Sequence, residues 1–144
     1  MSHIVKSYPI IHPYLREFPQ VSDIRGNLTY IEPSHDLPFL VRRLYYLYDI
    51  PPYATRGGHA HRTLYQCLIA LAGSFDVVVE DGLTVTRYTL AQPTVGLVLP
   101  PMVWRELDHF LPHSICLVLA SDLYNEGDYI RNHDEFHALL GVTS

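Results

Sequence analysis

The chain is predicted to be all-β, an antiparallel sandwich or barrel with a short C-terminal helix. Short strand-like runs recur along it, each bounded by glycine, proline or aspartate. Tyrosine (11) and proline (11) are abundant while helix-forming stretches are few, a balance that favours strands and turns. Residues 1–21, with Pro9, Pro13 and Pro19 and little periodicity, read as an N-terminal arm ahead of one domain over 22–144. The runs then follow in order: Leu28–Ile31, Val41–Tyr48, Gly58–His61, Tyr65–Ala72, Phe75–Glu80, Leu83–Tyr88, Gly96–Leu99 and Ile115–Ala120. Asp81-Gly82, between two alternating runs, is the strongest hairpin signal. Only Asp134–Leu140 reads as helix, with Phe136, Leu139 and Leu140 on one face, Asp134 as N-cap and Gly141 as stop.

Two runs are apolar on both faces. In Tyr65–Ala72, Leu68 and Ala70 alternate with Cys67, Ile69 and Leu71, and Ile115–Ala120 behaves alike. A sandwich covers one face of each sheet, so the second face needs the terminal helix or a second subunit. A homodimer is expected.

Composition excludes several classes. With 144 residues there is chain for one core. A net charge of −5, with only one lysine and no basic run, argues against a nucleic-acid partner. No apolar stretch approaches the ~20 residues of a membrane span, and no signal-peptide pattern opens the chain, so no membrane partner is expected. Cys67 and Cys116 sit in apolar runs and read as buried free thiols, which favours the cytoplasm.

Chemistry concentrates in Arg56-Gly57-Gly58-His59-Ala60-His61-Arg62. On a strand, His59 and His61 project from one face, and Gly57, Gly58 and Ala60 leave room around them. An imidazole titrates near ~6.5, so such a pair in a pocket reads as general acid/base machinery, with Arg56 or Arg105 able to hold a developing enolate. The remaining histidines, His3, His12, His35, His109, His113, His133 and His137, read as surface groups without ligand spacing.

The spacing His59-x-His61, Gln66, Gly73 resembles the first signature of the cupin superfamily, and Gly96–Arg105 resembles the second. The resemblance implies a cupin sandwich or jelly-roll barrel. Metal-binding cupins carry a carboxylate and a third imidazole where this chain has Gln66 and Arg105. A guanidinium cannot ligate a cation and repels it, so no metal and no cofactor are expected.

A closer resemblance is to the WxcM-like sugar 3,4-ketoisomerases acting on thymidine-diphosphate-linked (dTDP) 4-keto-6-deoxyglucose. Arg25-Gly26-Asn27-Leu28, Phe39–Asp49, Arg56–Arg62, Gly96–Glu106 and Leu119–Arg131 carry it. It implies metal-free transfer of a keto group from carbon 4 to carbon 3 through an enediol, with His59 and His61 jointly catalytic and a dTDP-linked 4-keto-6-deoxyhexose as substrate. It also implies a homodimer with exchanged N-terminal strands. Substrate-binding positions that carry over are Tyr45, Arg56, Arg25, Gln66, Trp104, Arg105 and Glu106, while Tyr46 points to the opposite face. Tyr124, Asp128 and Arg131 read as C-terminal packing and tethering. Members carry His or Arg at the position of Arg105, which leaves the product epimer, galacto or gluco, open. The alternatives are a sugar-nucleotide 3,5-epimerase, a metal-dependent dioxygenase disfavoured by Gln66 and Arg105, and a non-catalytic sugar-binding module.

Overall fold

The computed structural model describes residues 12–141. Two five-stranded sheets face each other, and every strand pairing is antiparallel. The first sheet runs β1 (Tyr14–Glu17), β9 (Val95–Leu99), β6 (Gln66–Ala72), β11 (Ile115–Ala120), β4 (Arg43–Leu47). The second runs β12 (Tyr129–Ile130), β5 (Arg56–His61), β10 (Trp104–Asp108), β7 (Phe75–Glu80), β8 (Val85–Leu90). A separate hairpin pairs β2 (Gln20–Asp23) with β3 (Gly26–Thr29), and two short helices, α1 (Pro33–Asp36) and α2 (His133–Leu139), complete the chain. This is the cupin sandwich expected from the signatures.

Alternation at period two builds the core. Leu68 and Ala70 of β6, Val77 of β7, Leu97 and Leu99 of β9, and Val118 of β11 turn inward and fill the space between the sheets with Phe75 and Phe110. Each leucine, valine and phenylalanine among them contributes ~1.5–3 kcal/mol by burial.

Several expectations are corrected. The arm is not irregular over its described part: Tyr14–Glu17 forms β1, an edge strand paired with Val95–Val98 of β9. Edge position explains how so short a segment between two prolines serves as a strand, because only one side must supply ladder hydrogen bonds. Residues 1–11 lie outside the described residues, as does His3. Strand β8 starts two residues later than expected because the Asp81 carboxylate accepts the backbone N–H groups of Leu83 and Thr84 and draws them into the turn. The expected N-cap of α2 shifts to Asn132, whose side chain accepts from the Glu135 N–H. Leu139 is exposed, while Phe136 and Leu140 pack inward.

Part of the second apolar face of the first sheet is covered by an element that was not foreseen, while Leu44 and Leu71 stay exposed. Phe18, Leu37, Phe39 and Val41, from the segments flanking β2 and β3, pack on Cys67, Ile69, Val98 and Leu119. The terminal helix instead lays Phe136 on Ala60, Trp104 and Ile130, against the outside of the second sheet. Cys67 and Cys116 are buried and free.

Candidate active site

The pairing of β5 with β10 sets the site. Arg105 faces His59, but Glu106 faces Gly57, so the ladder skips Gly58 and forms a bulge. Gly57 and Gly58 take φ of +84° and +75°, a region that side chains disfavour, and a Cβ on Gly57 would stand 2.9 Å from the Arg105 carbonyl oxygen. The extra residue changes the parity of the strand. Arg56, before the bulge, and His59, after it, therefore line the same cavity.

That cavity, about 320 Å³, opens between the sheets. Tyr45 and Arg43 enter it from β4, Gln66 from β6, Arg105 from β10, and Tyr129 and Arg131 from the C-terminal segment. Arg105 is buried at 2% exposure, with no carboxylate within salt-bridge reach among the described residues. Its Nη1 donates to Gln66 Oε1 at 2.5 Å, and Nε and Nη2 donate to the Val103 carbonyl at 3.3 and 3.2 Å. Gln66 Nε2 in turn donates to the Tyr45 hydroxyl at 3.0 Å. Burial pushes the guanidinium down to about 10, which still leaves it cationic at neutral pH. A buried cation without a counter-ion is a prepared place for an oxyanion.

His59 lines the cavity and His61 lies behind it, fully buried, with ring centroids 4.8 Å apart at 84°. The Asp128 carboxylate accepts from His61 Nδ1 at 3.1 Å and from the Thr63 N–H and hydroxyl at 2.8 and 2.9 Å. A carboxylate accepting from Nδ1 fixes the tautomer with Nε2 as the bare nitrogen. Neither His59 Nε2 nor His61 Nε2 has a hydrogen-bond partner in the protein. Burial, then the Arg105 charge, pushes His59 down to about 3 against a backbone hydrogen bond at Gly57 that raises it. The same two causes in the same order, with His59 adding to them, push His61 down to about 2. Both imidazoles are thus neutral at neutral pH, with Nε2 unprotonated but only weakly basic.

Of the residues singled out from sequence, His59, Tyr45, Arg56, Gln66 and Arg105 meet at the cavity, and His61 supports them from behind. Tyr46 points outward, as foreseen, and is 57% exposed. Trp104 and Glu106 lie outside this cavity: because Arg105 turns inward, its strand neighbours turn outward. Trp104 packs on Phe136 beneath α2, and its indole N–H donates to Glu106 at 3.1 Å on that outer face. Arg25 sits in the β2–β3 turn, ion-paired with Asp23 at 2.7 Å and outside this chain's own cavity.

Arg43, Asp128, Tyr129 and Arg131 were not assigned to the site from sequence. Tyr129 lies 4.9 and 4.4 Å, centroid to centroid, from the His59 and His61 rings, and the Arg131 guanidinium sits 4.1 Å from its centroid. The available signal was alternation: Arg43 must share a face with Tyr45, and Arg131 with Tyr129.

These donors do not fit a divalent metal. Gln66 offers a neutral amide oxygen already bonded to Arg105, and the guanidinium fills the third ligand's place with positive charge. The fold and the cavity together define a cupin-type sandwich equipped for proton transfer on an anionic ligand.

Similarity to known proteins narrows this class. The family model FdtA, described as WxcM-like, C-terminal, matches residues 12–141. The TDP-4-oxo-6-deoxy-alpha-D-glucose-3,4-oxoisomerase of Aneurinibacillus thermoaerophilus is 43% identical over 119 residues, 83% of this chain and 86% of the relative. A 3,4-ketoisomerase structure from Helicobacter canadensis matches at 40% identity with a TM-score of 0.87, over 90% of this chain and 97% of that one. A histidine-to-asparagine mutant of the 3,4-ketoisomerase QdtA from Thermoanaerobacterium thermosaccharolyticum, in complex with TDP-4-keto-6-deoxyglucose, matches at 38% identity and 0.86, over 88% and 92%. The chain belongs to the WxcM-like, C-terminal family.

Proposed function

We propose that this chain is an isomerase, a sugar-nucleotide 3,4-ketoisomerase converting dTDP-4-keto-6-deoxyglucose to a dTDP-3-keto-6-deoxyhexose. The observation that carries the reading is the pair of neutral imidazoles, their Nε2 atoms unpartnered, beside the buried and unpaired Arg105. The relatives, named for 3,4-ketoisomerase activity, support it over a 3,5-epimerase or a binding module.

His59, which lines the cavity, takes the proton from carbon 3 of the sugar. The electron pair forms the C3–C4 double bond, and the former carbonyl oxygen at carbon 4 becomes an enediolate oxygen. Arg105 balances that charge where it develops. The hydroxyl at carbon 3 then gives up its proton as the C3=O bond forms, and carbon 4 accepts a proton, so the step is redox-balanced within the sugar. The proton lost by the carbon-3 hydroxyl ends on the carbon-4 oxygen, and His61, held by Asp128 and set edge-on against His59, supports that base from behind. Arg43 and Arg56, without carboxylate partners among the described residues, hold the diphosphate. Gln66 and Tyr45 orient Arg105 and a sugar hydroxyl.

The working unit is a homodimer in the cytoplasm. Outside the first sheet, an apolar groove of about 520 Å³ runs past Val41, Leu44, Ile69, Leu71 and Leu117, a surface suited to a second copy. Strand exchange of the arm would bring the β2–β3 turn with Arg25 to the partner's side. No helix among the described residues is long and apolar enough to cross a membrane.

The test is proton NMR of the chelator-treated protein with dTDP-4-keto-6-deoxyglucose in deuterated water. A 3-keto product labelled at carbon 4 is expected, with coupling constants that name the epimer. Exchange at carbons 3 and 5 instead would establish the epimerase. His59→Asn and His61→Asn are each expected to lower turnover at least ~10²-fold, and near-normal rates in both would remove the assignment.

A further inference from the structure

Outside the cavity, on the opposite face of the second sheet, the protein gathers a second set of donors. Glu80 ends β7, and His133 and His137 stand one turn apart on α2, at the i, i+4 spacing that puts two imidazoles on one face. His133 Nε2 lies 2.7 Å from Glu80 Oε2, and His137 Nε2 contacts Glu80 Oε1. One atom from each of the three residues falls within 4.8 Å of the others. Taken as surface groups in the sequence, these two histidines have ligand spacing after all.

We propose that Glu80, His133 and His137 bind a divalent transition-metal ion of the zinc class, which fastens α2 to the second sheet. The donor chemistry, two imidazoles and one carboxylate, is that of a three-ligand zinc site with water in the fourth position. The geometry is close to what such an ion needs. Tetrahedral ligands ~2.0–2.1 Å from the metal stand about 3.3 Å apart, so both histidines must move outward from the carboxylate, His133 from its present 2.7 Å, while the ligand atoms as a set already lie within 4.8 Å of one another. Glu80 is fixed on its strand opposite Trp104, and the His133 ring meets the Trp104 ring edge-on at 4.9 Å, which restricts the ligand's orientation. Asp134 and Glu135 in the first turn of α2 offset the helix dipole that would oppose a cation at this end.

A comparable cluster, Asp76, Asp108 and His109, shows what an occupied version looks like. There Arg87 Nη1 already donates to both carboxylates at 2.8 Å and takes the cation's place. Among the described residues Glu80 has no arginine or lysine partner, only the two imidazoles.

The ion's mechanical effect reaches the other side of the sheet. The segment leading into α2 carries Asp128, Tyr129 and Arg131, which brace the catalytic histidines. Fastening α2 reduces the freedom of that segment.

The test is isothermal titration of chelator-stripped protein with Zn²⁺, paired with hydrogen exchange across α2. One saturable equivalent per chain is expected, with slowed exchange in residues 133–139. Losing a ligand outweighs losing the outer partner of one, which costs 10–100-fold in affinity, so His133→Ala and His137→Ala are each expected to weaken binding at least ~100-fold. Glu80→Gln keeps a hydrogen-bonding side chain with the same shape and is expected to do the same without unfolding, checked by circular dichroism. His109→Ala is expected to bind as the unmodified protein does. Absence of saturable binding, or binding that survives all three ligand substitutions, would overturn the site. Ketoisomerase activity plays no part in this readout, so the two readings fail independently.

Discussion

Replacing Arg105 by methionine removes a charge while keeping most of the volume, and it tests what that charge does. Arg105 faces His59 directly across β10 and β5, a pairing that sets Cβ atoms about 4.5–5.5 Å apart. Two unit charges about 6 Å apart interact by about 2.8 kcal/mol at an effective dielectric constant of about 20. That corresponds to about 2 pK units. His59, now pushed down to about 3, is therefore expected to titrate near about 5 in Arg105→Met. Burial, the larger cause, remains and keeps it below the ordinary range. Stability should change little. Pushing the guanidinium from 12.5 to about 10 reflects about 3 kcal/mol of unfavourable burial that the variant relieves. Against this, Gln66 Oε1 loses its donor, a cost of about 1–3 kcal/mol. Turnover, in contrast, is expected to fall about 10²–10³-fold with the loss of the oxyanion partner. Histidine ring NMR between pH 4 and 8, urea denaturation at pH 7 and kcat form the assay. A His59 ring that stays neutral to pH 4 in the variant would refute the electrostatic reasoning. Full activity in a folded variant would refute the assigned role.

Both histidines also make stability depend on pH. Their folded values, about 3 and 2, lie below the unfolded ~6.5. Below that value the unfolded chain binds protons that the folded chain refuses, so stability falls as pH falls. From pH 7 to pH 5 each histidine is expected to cost about 2 kcal/mol, and His61→Asn should remove about that much of the loss in denaturant titrations. Asp128→Asn keeps an acceptor for Thr63 but puts an amide opposite His61 Nδ1 and releases the tautomer. Its kcat is expected to fall ~10²-fold or more with little change in KM, and a drop confined to KM would show that Asp128 acts in binding alone. Adding thymidine diphosphate is expected to raise the His59 titration point in NMR, since an anion beside Arg43, Arg56 and Arg105 offsets the charge that lowers it. An unchanged or lowered value would place the diphosphate elsewhere.

The sandwich was legible because its strands obey simple alternation, and the hairpin at Asp81-Gly82 announced itself by composition. Strand β10 was missed because Trp-Arg-Glu-Leu-Asp follows two prolines and carries three charges, a pattern that reads as loop. It is a strand because its inward pair, Arg105 and Leu107, faces a cavity and not only a hydrocarbon core. That one omission hid the outward turn of Trp104 and Glu106, which follows at once from the inward turn of Arg105. The cover over Cys67 and Ile69 was hidden for another reason. Phe18 and Leu37 reach it from segments with no periodicity, and long-range packing of isolated side chains leaves no local pattern. Tyr129 and Arg131 were hidden by the shortness of β12, two residues that only pairing with Ala60 and His61 makes a strand.

The charge arrangement explains why this scaffold carries an arginine among its histidines. In the proposed reaction a metal ion at the base of the cavity would stabilise the enediolate but would also occupy imidazole nitrogen needed for proton transfer. Arg105 supplies fixed positive charge from a side chain that cannot ligate histidine, and so leaves both Nε2 atoms free. The consequence is weak basicity: burial first, and then the same charge proposed to hold the enediolate, disfavour a proton on His59 and His61. In the proposed reaction the substrate corrects this itself. Its diphosphate brings negative charge to Arg43 and Arg56, and the enediolate brings more to Arg105 as carbon 3 loses its proton. The base therefore strengthens as the reaction advances along its coordinate, and the stabilisation is larger in the transition state than in the bound ketone, which is the condition for acceleration.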